Sequence, residues 1–351
     1  TAGLFAASSP LCMAQATPQP ALSEINQPNA DLLSIRNEIK LAVQSGNKYL
    51  KSTQHKDGYW YEADLPAFTG LAVYAAMGDP NRTEGEIPAH VKKGYDFIMT
   101  KVRKDGGIYG KGLANYNTSL CIMALVASGD KAHVPAILNA RNFLIGLQDT
   151  KTVDKDGNVN IMKGGVGYGG RYPHSDLSNT HLALHAIRTA DIIALDGSHG
   201  KQKQLDWDSA INFISSCQNL QSTNKHEKAD NDGSFVYFPG NSKAGTHKDA
   251  SGKERLKGYG SMSYAGLLSL VHAKLDENDK RVIAVKKWLG ENYTLDENPG
   301  VGEQGIYYYY HVMAKALTAA NVNHLKLKDG TTVNWRKQLA ERLLKQQQED
   351  G

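Results

Sequence analysis

Apolar positions along the chain recur in pairs of unlike helices. One member of each pair spaces its apolar residues three and four apart and carries charge on the opposite face. Stretches of this kind are Ile35–Ser52, His90–Lys101, Val134–Gln148, Trp207–Gln218 and Lys280–Asn292. The other member is apolar almost all round: LAVYAAM in Phe68–Met77, SLCIMALVA in Asn117–Ser128, THLALHAI in Ser178–Ala190, YAGLLSLVHA in Ser263–Ala273 and YYYYHVMAKAL in Gln304–Ala320. A helix apolar on every side is a buried helix, so the pattern predicts an inner layer wrapped by a charged outer one. Helical hairpins that cannot bury their faces alone stack on their neighbours, into an open superhelix or a closed ring. Six of them can close, and the expected fold is all-α, an α/α toroid. A sixth outer helix opens at Asn334 and runs to Gln347-Gln348-Glu349-Asp350-Gly351, so the sixth repeat is expected to be truncated.

Between the paired helices lie turns rich in Asp, Gly and aromatics: Asp57-Gly58-Tyr59-Trp60, Asp105-Gly106-Gly107-Ile108-Tyr109, Asp232-Gly233-Ser234-Phe235 and Asn298-Pro299-Gly300. The richest is GGVGYGGRYPHSDLSNTHLALHA, from Gly164 to Ala186. It brings His174, Ser175, Asp176, Ser178, Asn179 and Thr180 to the start of an apolar helix, where Asp176 or Ser178 can cap free N–H groups. A charged insertion from Asn219 to Lys257, centred on Phe235-Val236-Tyr237-Phe238, interrupts the fourth repeat. Loops of that length in a compact fold are usually functional or disordered.

Composition changes this picture little. A net charge of +4, from 40 basic and 36 acidic residues, is too small and scattered to point to nucleic acid. No apolar run is long enough to cross a bilayer. Thr1–Ala16 is small and apolar and ends in Ala14-Gln15-Ala16, which reads as the remnant of a signal peptide and predicts an exported, periplasmic or extracellular protein. Residues 17–31 read as a linker, and 32–351 as one domain with the insertion at 219–257. Cys12 falls in the leader. Cys121 and Cys217 fall in apolar helices and read as small buried hydrophobes.

The run Gln54-His55-Lys56-Asp57-Gly58-Tyr59-Trp60 has the form Q-x-x-x-G-x-W, and Gln347 to Gly351 repeats its first part. It resembles the repeat of squalene and oxidosqualene cyclases, which are related in fold to protein prenyltransferase β subunits. YGSMSYAGLLSL and the Gly164–Ala186 stretch are similar to other repeats of that superfamily. The resemblance implies an α/α toroid and an apolar isoprenoid or triterpenoid-type ligand. Cyclases of this kind protonate their substrate with a D-x-D-D-T segment. Laid on this chain it becomes Asp176-Leu177-Ser178-Asn179-Thr180, in which Ser178 and Asn179 cannot act as strong acids. Prenyltransferases hold zinc with Asp, Cys and His. Here Tyr309-Tyr310-His311 looks like the aromatic-His segment, while Gly258-Tyr259-Gly260 stands where the other ligands would be. His181 and His185 share a helix face but lack a third ligand, so no metal and no cofactor are expected. Pro299-Gly300-Val301-Gly302-Glu303-Gln304 looks like the thioester motif of complement-type proteins, with Val301 where the chemistry needs Cys.

The resemblance therefore implies a ligand cavity at the ends of the inner helices. Expected at it are Tyr172, Asn179, His181, Tyr259, Tyr264, Glu303, Gln304, Tyr307 and Tyr310, with Asp176, His174 and His311 as candidates for moving a proton. Asp176 serves equally as a simple helix cap, and Tyr308 and Tyr309 are expected in the core. Two other functions fit the same residues. One is a cyclase, isomerase or lyase of altered chemistry, its carbocation held by tyrosine faces. The other is a non-catalytic scaffold that binds a protein partner through 219–257.

Overall fold

A computed structural model describes residues 35–83, 85–170 and 172–351, and for Tyr172 and Pro173 the backbone alone. The expected signal-peptide remnant, the linker and Cys12 lie outside the described residues. The described chain is all-α, and its helices fall in the expected pairs: α1 (Arg36–Thr53) and α2 (Pro66–Met77), α3 (Ala89–Thr100) and α4 (Ala114–Ser128), α5 (Val134–Gly146) and α6 (Leu177–Ala194), α7 (Trp207–Ser216) and α8 (Gly260–His272), α9 (Lys280–Glu291) and α10 (Ile306–Ala319). A last helix, α11 (Trp335–Gln346), follows unpaired. Sequence sets the starts: Asp176, Asp206, Asp279 and Asn334 each accept a backbone N–H of the first turn, and Pro66 opens α2.

The even-numbered helices form the inner layer of an α/α toroid. Each packs on the next, α2 on α4, α4 on α6, α6 on α8 and α8 on α10. α8 is buried from Gly260 to Leu270 without a break, as its all-round apolar sequence requires. The odd-numbered helices wrap this layer.

A repeated clamp joins each outer helix to the next. The glutamine that ends α1, Gln54, donates Nε2 to the oxygens of Gly58 (2.9 Å) and of His90 in α3 (2.8 Å). Gln148 does the same for Gly164 and Asp206, and Gln218 for Gly233 and Arg281. Gln347 closes the series on the first helix, donating to Ala42 in α1. Gly58 sits at φ +92°, and a Cβ there would strike the carbonyl oxygen of Lys93 in α3. Gly351 is its counterpart at φ +107°, where a Cβ would lie 2.5 Å from the carbonyl oxygen of Ser45 in α1. Only glycine fits such a left-handed turn pressed against backbone. The Q-x-x-x-G spacing is thus a joint between repeats, and Gln347 and Gly351 make it a closed one.

On the inside, one contact crosses from α10 back to α2. Lys315 donates Nζ to the hydroxyl of Tyr74 (3.0 Å) and lies over its ring, 4.7 Å from the centroid. Among the described residues no helix stands between these two, and each keeps an exposed stripe there. Phe68, Leu71 and Ala75 form the stripe on α2, and Tyr307, His311 and Thr318 the one on α10.

The described strands are three short antiparallel hairpins in the loops: β1 (Gly167–Gly169) with β2 (Tyr172–Ser175), β3 (Thr246–Lys248) with β4 (Glu254–Leu256), and β5 (Leu325–Lys326) with β6 (Thr332–Val333). The third lies between α10 and α11, the second inside the insertion. The insertion is packed on the ring. Phe235 is fully buried, and buried Asn219 donates to the oxygens of Ser234 and Leu256. Cys121 and Cys217 are buried free thiols, as their apolar surroundings predict. A buried ion network pins α5 to α6. Arg141, 1% exposed, meets Asp191 at 2.7 Å, and Asp191 also takes Arg188 at 3.2 Å. Arg188 in turn bonds the oxygen of His272 (2.7 Å), which fixes the end of α8.

Candidate ligand cavity

Four inner helices begin around one cavity of about 200 Å³. Tyr116 comes from the first turn of α4, Ser178 from α6, Tyr259 from the residue before α8, and Tyr308 from α10. Tyr168 of β1 and, from the insertion, Tyr237 and Lys243 complete the wall. The inner helices therefore run in the same direction, with their N-termini at this mouth. Tyr116 stacks on Tyr168 with ring centroids 6.2 Å apart, and Tyr168 and Tyr237 share a hydroxyl hydrogen bond of 2.7 Å. The Lys243 ammonium sits over the Tyr237 ring, 4.2 Å from its centroid. Burial pushes the Tyr116 phenol up to about 12, and it raises Tyr237, Tyr259 and Tyr308 further. The phenols keep their protons at neutral pH, so the mouth offers uncharged aromatic faces and O–H donors.

Asp176 lies beneath this mouth, fully buried. Its Oδ1 accepts the Ser178 hydroxyl (2.6 Å) and the Asn179 N–H (2.9 Å), and its Oδ2 accepts Asn179 Nδ2 (2.8 Å). Three donors thus converge on its two oxygens at the N-terminus of α6. Ser178 and Asn179 are the donors that hold Asp176 as the cap of α6.

Below the mouth a column of imidazoles follows the ring interior. His181 is buried on α6, with Nδ1 donating to Leu177 O (3.3 Å), which leaves Nε2 to accept Tyr308 OH (3.4 Å). Burial lowers its pKa to about 4. One turn on, His185 Nδ1 meets His272 Nε2 of α8 at 3.0 Å. His311, exposed on the α10 stripe, is nonetheless lowered to about 4, by desolvation first and then by Lys315.

The structure distributes the expected site residues over the cavity, the core and the surface. Tyr259 and Gln304 line the cavity. Asn179 is buried behind it, bonded to Asp176, and His181 touches it through Tyr308. Tyr172 contributes backbone to β2. His174 is exposed beside Tyr168 and Phe238, with centroids 5.7 and 6.2 Å away. Glu303 and Tyr307 are exposed at the start of α10. Tyr264 and Tyr310 lie in the core instead, Tyr264 packed on Tyr309 and Tyr310 bonded to Leu295 O. Of the two tyrosines expected in the core, Tyr309 is there and Tyr308 faces the cavity. Tyr116, Tyr168, Lys243, His272 and Lys315 are not among the expected site residues, and Tyr237 is expected only as part of the insertion. One sequence signal links Tyr116 to Tyr259 and Tyr308. Tyr116, Tyr259 and Tyr308 each lie within three residues of an inner-helix start.

A closed ring of helical hairpins with an aromatic mouth is the class of protein these observations define. No family model matches the chain. It is similar to the lanosterol synthase erg7A of Aspergillus fumigatus, 33% identical over 72 residues, which are 20% of this chain and 10% of that enzyme. The chain thus spans about a tenth of the length of the curated relative it matches. Among solved structures it is similar to the type II terpene cyclase from Scytonema, MstE. Against MstE with merosterolic acid A the TM-score is 0.47 at 10% identity, over 90% of this chain and 81% of that one. Against two MstE structures with geranylgeranyl dihydroxybenzoate it is 0.48 and 0.49, each at 10% identity, over 90% of this chain and 80% of the other.

Proposed function

We propose that the ring binds an apolar isoprenoid or triterpenoid-type molecule, with one end at the tyrosine mouth and the remainder along the interior. The observation that carries this reading is the convergence of Tyr116, Tyr168, Tyr237, Tyr259 and Tyr308 on one cavity at the starts of the inner helices. Protonated phenols give apolar faces with a few fixed donors, the usual make-up of a small-molecule site. The short similarity to a lanosterol synthase, an enzyme named for a sterol product, supports a ligand of this kind. Asp176 acts in this reading as a cap, and the protein as a binder instead of a protonating cyclase. The insertion acts as part of the wall, since its Tyr237 and Lys243 line the cavity and its Phe235 is core.

Mass spectrometry of organic extracts from the purified protein, against a heat-denatured control, tests the reading. One polyprenyl or triterpenoid species at about one per chain is expected, and Tyr237→Ala should lower its occupancy. Extracts with no such species, together with no uptake of added polyprenyl alcohol, would overturn it.

A further inference from the structure

The inner helices are poor in acids. α2, α4, α8 and α10 contain no Asp or Glu, and α6 contains only Asp191, which is committed to Arg141 and Arg188. Lys315 points inward from α10 with Tyr74 as its hydrogen-bond partner, and none of the ion pairs among the described residues includes it. The titratable side chains that feel its charge are His311 on its own helix, His185 on α6 and His272 at the end of α8, and Arg188 and His181 act in turn on His272. Lys315 is half-buried, with the Tyr74 hydroxyl as the partner of its ammonium. Its effect is felt by the neighbours: desolvation is the main cause that lowers His185, His272 and His311, and the Lys315 charge adds to it in each.

We propose that Lys315, with His185, His272 and His311 around it, forms an interior site for the carboxylate head of an amphipathic ligand. The proposal rests on the reading of the ring as a binder of apolar chains, and places the charged end of the ligand about two helical turns below Tyr308 of the tyrosine mouth. Tyr74 accepts one N–H of the ammonium and leaves two for a ligand. The His185–His272 pair adds a donor whichever way it is protonated. If His272 Nε2 carries the shared proton, His185 keeps an N–H at Nε2; if His185 Nδ1 carries it, His272 keeps one at Nδ1. The Lys315 ammonium adds one positive charge to the one left over where Arg141 and Arg188 share Asp191, and both favour a carboxylate. The apolar stripe of Phe68 and Leu71 on α2 faces the same opening and suits the chain of such a molecule.

Calorimetry with a farnesyl-chain carboxylic acid and the alcohol of the same chain, at neutral pH, tests this. The acid is expected to bind between about tenfold and about a hundredfold more tightly, the worth of a charge-assisted bond. Lys315→Met should erase that preference with the alcohol unaffected, and Lys315→Arg should retain it. Equal binding of acid and alcohol, or a preference that survives Lys315→Met, would overturn the anion site and leave the binding of apolar chains standing. If neither chain binds, the apolar reading fails and acetate decides the rest. Shifts of the His272 and His311 imidazole resonances on adding acetate, absent in Lys315→Met, support the anion site; no shift overturns it.

Discussion

Gln347 donates its Nε2 to the main-chain oxygen of Ala42 at 2.8 Å, joining two residues 305 positions apart. The bond is the same one that Gln54 makes to His90 between neighbouring repeats (2.8 Å), so the last outer helix seats on the first as any other pair does.

Breaking one of these joints should cost more than an ordinary surface bond. Gln218 is fully buried and serves the oxygens of Gly233 and Arg281, so Gln218→Ala leaves two carbonyls without their donor. A loss of about 1–3 kcal/mol in urea unfolding is expected. A variant as stable as the parent would mean that water replaces the glutamine.

Asp191 balances two arginines, one of them buried, and its removal strands positive charge. Asp191→Asn is expected to destabilise the fold by about 3–5 kcal/mol. Replacing Arg141 and Asp191 together by Met and Leu should cost clearly less than either single change. Additive losses in that double-mutant cycle would argue against a coupled pair.

Acid should unfold the protein in part through its inner histidines. His181 has a folded pKa of about 4, below the ordinary value of 6.5. Between those values the unfolded chain binds the proton and the folded one does not. The stabilising contribution is therefore complete above pH 6.5 and is lost as pH falls towards 4. His181→Leu should flatten the stability profile over that window by up to about 3 kcal/mol. Parallel profiles for parent and variant would show that His181 is not desolvated.

The two buried thiols should be inert. Burial raises both Cys121 and Cys217, and the thiolate is the reactive form. In a Cys12→Ser background, a disulfide reagent is expected to label neither thiol in the folded protein and both in guanidinium. Rapid labelling of the native chain would require an opening at α4 or after α7.

The hairpins, the two layers and the joints were legible because each rests on local chemistry. Charge on one face marks an outer helix, and Gln54-x-x-x-Gly58 marks a turn. The facing of the inner helices was not legible. A helix such as α8, apolar all round, has no polar face to set its rotation, so sequence could not tell which of Tyr307 to Tyr310 meets the cavity. The start of α10 mattered as well. Gly305 takes a left-handed conformation and the helix begins at Ile306, which aims Tyr308 inward and Tyr310 into the core. The Lys315–Tyr74 contact spans 241 positions and follows no spacing rule. Only closure brings those two residues together.

The joints lie on main-chain oxygens, and the bore is lined by side chains that no joint uses. The two are written in separate residues. A mouth tyrosine such as Tyr116 can consequently be exchanged without touching a glutamine joint, whereas Lys315 with Tyr74 and His185 with His272 also bridge inner helices. A scaffold so divided lends itself to redesign: a library confined to the lining positions would sample new guests while the hoop around them stays the same.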